Sequence, residues 1–299
     1  MGIPFVREMN FTYGEAQQVS PLIRRVVARN PGPFTFHGTG VYIVGAPGGV
    51  VAVIDPGPDD AAHIEALKAA LRDDRVAHIF VTHGHLDHAP AARPLAEATG
   101  ARIHASGART KRHAGAPRMD EDEDEGFRPD HALSDGELIR GDGWTMEAIF
   151  TPGHTSNHVC YALHEENALF SGDHIMGWST TVVSPPDGDM DDYLASLEKV
   201  RARNFATLWP THGPPIREVR AFIDAYEAHR LDREAQILAQ LRAGRTKIAD
   251  MVPVMYADVN PALHPAARHS VYAHMIRLAK RGVVSTSGAP APDSEYRLA

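Results

Sequence analysis

The sequence predicts a layered α/β protein followed by a small helical domain. Short β-rich runs alternate with helical stretches from about residue 36 to residue 213, which is typical of sheets covered by helices. After Pro214-Pro215 the pattern becomes helical. Residues 217–285 carry eleven Lys and Arg against seven Asp and Glu, whereas residues 1–216 have a formal charge of −11. We therefore predict two domains, residues 1–216 and 217–299.

Composition and charge exclude several classes of protein. The 299 residues are 43% hydrophobic and 23% charged, which permits a sizeable core and excludes a disordered chain or a coiled coil. The formal net charge of −8 does not favour nucleic acid or anionic lipid over the whole surface. The single cysteine, Cys160, cannot form an internal disulfide or a cysteine-only zinc site. Since the chain shows no leader-like segment and no apolar run of ~20 residues, we expect a soluble, cytoplasmic protein that does not enter a membrane.

The elements of the first domain follow from local patterns. Short runs rich in β-branched and aromatic residues are typical of strands. The predicted strands are Val41–Val44, Val50–Ile54, Val76–Val81, Arg102–Ala105, Met146–Phe150, Val159–Leu163, Ala168–Phe170 and Thr207–Trp209. Apolar residues at three- and four-residue spacing predict helices over Asp59–Arg72, Asp87–Thr99 and Met190–Arg203, and Asp59 or Asp60 can cap the first helix.

One segment of this domain, residues 106–131, fits no element. It contains basic residues at 111–113 and an acidic run at 120–125. Blocks of like charge predict a solvated insertion here, in preference to a cation or partner site.

The second domain begins with one long amphipathic helix, Arg217–Ala243, which Gly244 can terminate. Two further helices are predicted over Lys247–Tyr256 and Pro265–Arg281. The short segments Gly282-Val283-Val284 and Tyr296-Arg297-Leu298 could form a small β-wing.

Histidine is the unusual residue in this sequence, with 18 copies, and four ligand-type residues lie within six positions after a predicted strand. His83 and His85 are two residues apart, so their side chains can point the same way at an extended strand end and reach one ion. Gly84 between them permits a tight turn. Asp87 and His88 are displaced from that pair and are suitably placed for a second ion.

Three more candidate ligands stand beside glycine where other predicted strands end. They are His154, Asp173 and His212. The ends of strands are where α/β proteins place their active sites. Together with the first cluster they supply five histidines and two aspartates, enough for two ions that share one carboxylate.

These motifs, in this order and at about this spacing, resemble the metallo-β-lactamase superfamily, and Asp55 in Val53-Ile54-Asp55-Pro56-Gly57 matches its preceding Asp motif. The resemblance implies an αββα sandwich with two metal ions at one edge. It implies that His83, His85 and His154 hold the first metal, that Asp87, His88 and His212 hold the second, and that Asp173 bridges them. It further implies that Asp55 orients the histidine-rich loop.

Members of the superfamily differ from one another at two of these positions, and the residues found here narrow the expected class of enzyme. Position 173 is Asp, where some true β-lactamases have Cys, which implies a binuclear site like those of the glyoxalase II or nuclease branches. Position 85 is His, where di-iron redox relatives usually have Glu, which disfavours an oxidoreductase. A bridging hydroxide would then attack a carbonyl or phosphoryl centre, with Asp87 as ligand and catalytic residue that orients it. These ligands suit Zn²⁺, although Mn²⁺ or Fe can occupy such sites.

The C-terminal segment resembles the winged-helix-like tail of the β-lactamase-like protein 2 subfamily, whose members include an endoribonuclease acting on single-stranded RNA. We therefore predict a metal-dependent phosphodiesterase on single-stranded RNA. The alternative is hydrolysis of a small thioester, lactone or β-lactam, which the acidic first domain favours because it repels polyanions. A third hypothesis is a non-catalytic winged-helix binding protein. The tail itself could bind RNA, but we favour the alternatives that it packs against the catalytic domain, borders the active-site cleft or mediates a homodimer.

Overall fold

The computed structural model describes residues 2–107 and 124–299, so most of the charged segment at 106–131 lies outside the described residues. Two β-sheets form the centre of the structure. The first contains β1 (Gln17–Ser20), β2 (Ile23–Val27), β3 (Gly40–Val44), β4 (Val50–Ile54), β5 (Arg75–Phe80), β6 (Arg102–Ser106) and β7 (His131–Leu133), in that spatial order. Its first four strands are antiparallel, and β4 to β7 run parallel.

The second sheet has the order β12-β11-β10-β9-β8. Its strands are β8 (Leu138–Arg140), β9 (Thr145–Phe150), β10 (Val159–Leu163), β11 (Ala168–Gly172) and β12 (Thr207–Pro210). Only β11 and β12 pair in parallel. The helices are α1 (Ala61–Ala70), α2 (Ala92–Thr99), α3 (Met190–Arg201), α4 (Val219–Arg242), α5 (Ile248–Met255) and α6 (His264–Lys280).

Three apolar clusters show that the layers are arranged α-β-β-α. Between the sheets, Tyr42 and Phe80 of the first pack with Tyr161 and Phe170 of the second. The other face of the first sheet is covered by α1 and α2. The other face of the second sheet is covered by α3 and the first half of α4. The αββα sandwich predicted from the family resemblance is confirmed.

A fourth cluster forms the C-terminal part of the chain. It joins the second half of α4 to α5, α6 and a two-stranded wing of β13 (Val284–Thr286) and β14 (Tyr296–Leu298). The predicted winged-helix-like domain is confirmed, with its first wing strand two residues later than expected. Because α4 contributes to two clusters, it connects the sandwich to this domain as one continuous helix.

Two predictions about elements were wrong in detail. The helix expected from Asp87 begins at Ala92, because residues 87–91 form a turn that pairs with Gly57: the Gly57 N–H donates to the His88 carbonyl and the Ala91 N–H to the Gly57 carbonyl. Strands β1, β2, β7 and β8 were not predicted, because charged residues interrupt the apolar run of β2 and because β7 and β8 have only three residues each. The predicted cap of the first helix is Asp60, which accepts a hydrogen bond from the His63 N–H.

The first sheet contains a row of histidines that makes its stability sensitive to acid. His104 lies on β6, 2% exposed, with its Nε2 3.0 Å from His78 Nδ1 on the neighbouring strand. Burial, followed by the charges of His78, His131 and Arg102, lowers the pKa of His104 to about 3. The unfolded chain binds this proton near pH 6.5. The stabilising contribution of the neutral His104 ring is therefore fully present above about pH 6.5 and is lost as the pH falls toward 3.

We expect His104→Phe to reduce the acid sensitivity of folding. Below about pH 6.5 this group costs the wild-type protein about 1.4 kcal/mol per pH unit, and the variant lacks that penalty. The measurement is the unfolding temperature of both proteins between about pH 7 and about pH 4.5. If the two proteins lose stability equally over that range, His104 does not contribute to acid sensitivity.

Candidate metal centre

The carboxyl ends of five strands bring all the predicted site residues to one edge of the sandwich. Asp55 follows β4, and the loop from Thr82 to His88 follows β5. The remaining candidates each follow a strand of the second sheet: His154 comes after β9, Asp173 after β11 and His212 after β12. Each of these side chains is almost completely buried. The structure therefore brings together every residue that the sequence analysis selected.

Three imidazoles converge to form the first group. His83 Nε2 lies 2.9 Å from His85 Nδ1, and His154 Nε2 lies 3.3 Å from each of these atoms. Two ligand nitrogens on a tetrahedral zinc ion, each about 2.0 Å from it, are separated by about 3.3 Å. The spacing of the three nitrogens therefore fits one shared cation.

Asp87, His88 and His212 form the second group. His212 Nε2 lies 2.9 Å from Asp87 Oδ2, and His88 Nε2 lies 3.2 Å from the same oxygen. The ligand atoms of the three residues all lie within 4.8 Å of one another, as do those of the first group. This set mixes a carboxylate with two imidazoles, which suits a divalent ion of the zinc type.

Asp173 lies between the two groups. Its Oδ1 is 3.6 Å from His88 Nε2 and 3.5 Å from His212 Nε2, and its Oδ2 is 3.9 Å from His154 Nε2. The two carboxylate oxygens thus face different groups. This is the position that a bridging ligand would require.

Unpaired buried atoms show that the residues fit metal ions. His88 Nε2 and Asp173 Oδ1 are fully buried and have no hydrogen-bond partner. Such groups are costly to bury unless a proton donor or a cation satisfies them. The oxygens and nitrogens of this edge therefore fit two divalent ions, and the individual ligand assignments stay a prediction.

Burial and neighbouring charges determine the direction in which the pKa values of His83 and His88 are shifted. Burial, reinforced by His88 and His85, lowers the pKa of His83 well below its usual value, so it is neutral and its ring can offer a lone pair. Burial also acts to lower the pKa of His88, but Asp87, Asp55 and Asp173 outweigh it and raise the pKa well above the usual value. His83 and His88 therefore have opposite tendencies to bind a proton.

Asp55 holds the histidine-rich loop in place. Its carboxylate accepts hydrogen bonds of 2.8 Å from the Thr82 N–H, the Thr82 hydroxyl and the Thr211 hydroxyl. It also lies 2.8 Å from His88 Nδ1, which must donate to it, leaving Nε2 to face Asp87 and Asp173. Asp55 has a φ of 46°, an uncommon conformation for a non-glycine residue that these contacts stabilise.

We expect Asp55→Asn to weaken metal binding by about tenfold to a hundredfold, the usual effect of losing an outer partner of a metal ligand. The amide nitrogen cannot accept the hydrogen bonds that the second carboxylate oxygen accepts now. The measurement is zinc affinity by competition with a chromophoric chelator. An unchanged affinity in a folded variant would show that Asp55 does not orient the ligands.

Backbone carbonyls orient two other histidines. His154 Nδ1 lies 2.7 Å from the Val182 carbonyl, and His212 Nδ1 lies 3.3 Å from that of Gly38. The segment that carries Val182 is anchored by α4, where Arg230 donates to the Thr181 carbonyl at 2.5 Å. The C-terminal part of the chain therefore supports a residue of the first group indirectly.

A cavity of about 280 Å³ opens onto the candidate metal ligands His85, His154 and Asp173. Its other walls come from the segment after β11 and from the C-terminal domain. Those walls include Met176, Trp178, Val182, His229, Arg230, Arg233, Tyr256, Val259 and Leu263. The sequence analysis missed this cavity, because its walls meet only in the folded chain.

Comparisons with known proteins agree with this geometry. The family model described as the metallo-beta-lactamase superfamily matches residues 35–212, and the beta-lactamase associated winged helix domain matches residues 248–291. The chain is similar to a beta-lactamase-like protein 2 homolog of Caenorhabditis elegans, with 35% identity over 90% of this chain and 88% of that protein. It is also similar to an atrochrysone carboxyl ACP thioesterase of Paecilomyces divaricatus, with 32% identity over 84% of this chain and 74% of that protein.

Solved structures support the same fold. A metallo-beta-lactamase family protein of Thermus thermophilus superposes with a TM-score of 0.75 at 22% identity, covering 94% of this chain and 100% of that chain. A beta-lactamase domain protein of Burkholderia ambifaria gives a TM-score of 0.78 at 20% identity, covering 98% and 96%. Both cover the sandwich and the C-terminal domain together.

Proposed function

The chain belongs to the metallo-beta-lactamase superfamily and is a hydrolase, and on that premise we propose that it hydrolyses the thioester bond of a small acyl substrate. The observation that carries the proposal is the cavity on His85, His154 and Asp173. The thioesterase named among the relatives supports it, at 32% identity over 84% of this chain. Zinc is the proposed metal, because the candidate ligands are imidazoles and carboxylates whose ligand atoms within each group lie within 4.8 Å of one another.

The size and walls of the cavity favour a small acyl group over a polymer. Its volume of about 280 Å³ is at the lower end of the range for small-molecule sites. Apolar side chains line much of it, including Met176, Trp178, Val182, Val259 and Leu263. Burial of an apolar acyl chain against these residues would contribute binding free energy in proportion to the area buried.

The ion pairs of α6 support packing of the C-terminal domain against the catalytic domain. Arg277 donates to both oxygens of Glu234 at 2.6 and 2.7 Å and to Asp191 at 2.8 Å. Lys280 lies 2.8 Å from Asp189 at the start of α3. Arg277 and Lys280 are thus paired with acids of α3 and α4, which supports packing of α6 against the catalytic domain. Single-stranded RNA as substrate stays a prediction, and the proposed experiment includes it.

Individual residues of the site have distinct roles in the proposed reaction. When bound, two divalent ions would lower the pKa of a water molecule and polarise the substrate carbonyl. The histidines, with Asp173 between them, would hold the ions. Asp87, whose Oδ2 lies 2.9 Å from His212 Nε2, accepts a hydrogen bond from the attacking water and orients it toward the carbonyl carbon. The apolar walls exclude bulk water from the acyl group.

A substrate panel tests the proposal. Purified protein supplied with zinc is assayed with acyl thioesters of N-acetylcysteamine, a lactone, a β-lactam and a labelled unstructured RNA. We expect turnover of the thioesters that varies little with salt, because a small neutral substrate releases few counterions. Cleavage of the RNA without turnover of any thioester would overturn the proposal and support a phosphodiesterase. The variant Asp173→Ala is the control for contaminating hydrolases.

A further inference from the structure

Two arginines on α4 line the cavity without an acidic partner. Arg230 is 2% exposed and donates to the Thr181 carbonyl, and half-buried Arg233 donates to the Met255 carbonyl at 3.0 Å and to Gln236 Oε1 at 2.7 Å. Within residues 2–107 and 124–299, no carboxylate forms an ion pair with either of them. Arg277, on the neighbouring helix, pairs with two carboxylates.

A cationic side chain that lines a cavity and has no acidic partner indicates an anionic ligand. Burying a guanidinium without a counter-charge is costly, so buried arginines are normally paired with acids. Arg230 Nε and Arg233 Nε are both buried and have no hydrogen-bond partner. Both arginine side chains line the same cavity that opens onto the candidate metal ligands, while their Nε atoms themselves are buried. A substrate that fills the cavity would therefore place its far end beside uncompensated positive charge.

Contacts with neighbouring groups fix the guanidinium of Arg233 in an orientation that can bind a planar anion. Its guanidinium carbon lies 4.2 Å from the centre of the Tyr256 ring, and the Met255 carbonyl fixes one end of the group. A guanidinium fixed in this way loses little conformational entropy when it binds a carboxylate. Burial, followed by the charges of Arg230 and Arg233, lowers the pKa of the neighbouring His229 to about 4, so its ring is neutral near pH 7.

We propose that Arg233 is a specificity-determining residue that binds a carboxylate at the far end of the acyl group, so that the preferred substrates are ω-carboxyacyl thioesters. This inference rests on the proposed thioesterase function. A carboxylate is planar and accepts two parallel hydrogen bonds from a guanidinium, and the apolar walls suit the methylene chain that separates it from the thioester. The C-terminal domain then selects substrates that the metal groups hydrolyse.

The test compares chain-matched substrates. Succinyl, glutaryl and adipoyl thioesters of N-acetylcysteamine are assayed beside the neutral butanoyl, pentanoyl and hexanoyl thioesters. A hydrogen-bonded charge pair predicts that kcat/KM for the best acidic substrate exceeds that of its neutral match by about tenfold to a hundredfold. We expect Arg233→Gln to bring this ratio close to one through a higher KM for the acidic substrate, and Arg233→Lys to retain part of it. Arg242→Gln, at the exposed end of α4, should keep the wild-type ratio.

The outcomes separate this inference from the proposed function. Turnover of the neutral thioesters with no preference for the acidic ones, or a preference that survives Arg233→Gln, overturns the inference and leaves a thioesterase. Turnover of no thioester overturns the proposed function itself. A 4′-phosphopantetheine thioester of a neutral acyl group distinguishes the other source of an anion. If it is preferred in an Arg233-dependent way while the carboxyacyl group is not, the inference is also wrong.

Discussion

Replacement of Asp173 with alanine is expected to lower kcat/KM for thioester hydrolysis by on the order of a thousandfold. The side chain lies between the two groups of candidate ligands, with Oδ1 facing His88 and His212 and Oδ2 facing His154. Its removal takes away the one carboxylate placed to neutralise charge on both sides. The measurement is steady-state kinetics together with the metal content of the purified variant.

Two further variants test whether the charge of Asp173 causes this loss of activity. Asp173→Asn keeps the shape of the side chain and removes its charge, so a similar loss would identify the charge as the cause. Asp135→Ala removes an exposed carboxylate that pairs with Lys199 on the surface, and it should change activity little. If Asp173→Ala retains more than about a tenth of the activity, Asp173 does not bridge the two groups.

The second large effect is expected at Gly153, the residue before His154. This glycine has a φ of 140°, a conformation that side chains essentially never adopt. A Cβ added there would lie 2.3 Å from Tyr193 Cα and 2.6 Å from Tyr193 N, which are backbone atoms of α3 and cannot rotate away. The Gly153 carbonyl also accepts the Asp189 N–H at 3.0 Å. We expect Gly153→Ala to destabilise the fold by about 3–5 kcal/mol and to displace His154.

Gly100→Ala is the matched control for that prediction. Gly100 also has a positive φ, 74°, but no atom lies within 4 Å of the position of an added Cβ. It should therefore cost only the conformational term of about 1–2 kcal/mol. Denaturant unfolding of both variants measures the difference. Equal destabilisation of the two would show that α3 can move away from Gly153.

The sequence predicted the residues that meet at the candidate metal centre because each lies in a short local motif. Ligand-type residues follow strands beside glycines, and the ends of these strands meet at one edge of the sandwich. The second domain was predicted for a similar reason, since its charge and helical pattern change within a few residues of Pro214. Such features can be read without knowing which segments meet in space.

The features that were missed depend on contacts between distant segments. The start of α2 is set by Gly57, more than thirty residues earlier in the chain, whose backbone pairs with residues 88 and 91. The role of Arg233 depends on a cavity whose walls come from the segment after β11 and from the C-terminal domain. In sequence Arg233 is an ordinary charged residue of an amphipathic helix. Its lack of an acidic partner is visible only in the folded chain.

The most direct test of this account is the metal content of the protein. The purified chain is incubated with excess zinc, separated from unbound metal by gel filtration and analysed by inductively coupled plasma mass spectrometry. The buried imidazoles and carboxylates at the edge of the sandwich predict two ions per chain, and fewer in Asp55→Asn and Asp173→Ala. One ion or none in the wild-type protein, with zinc in excess, would contradict the binuclear centre on which the proposed chemistry depends.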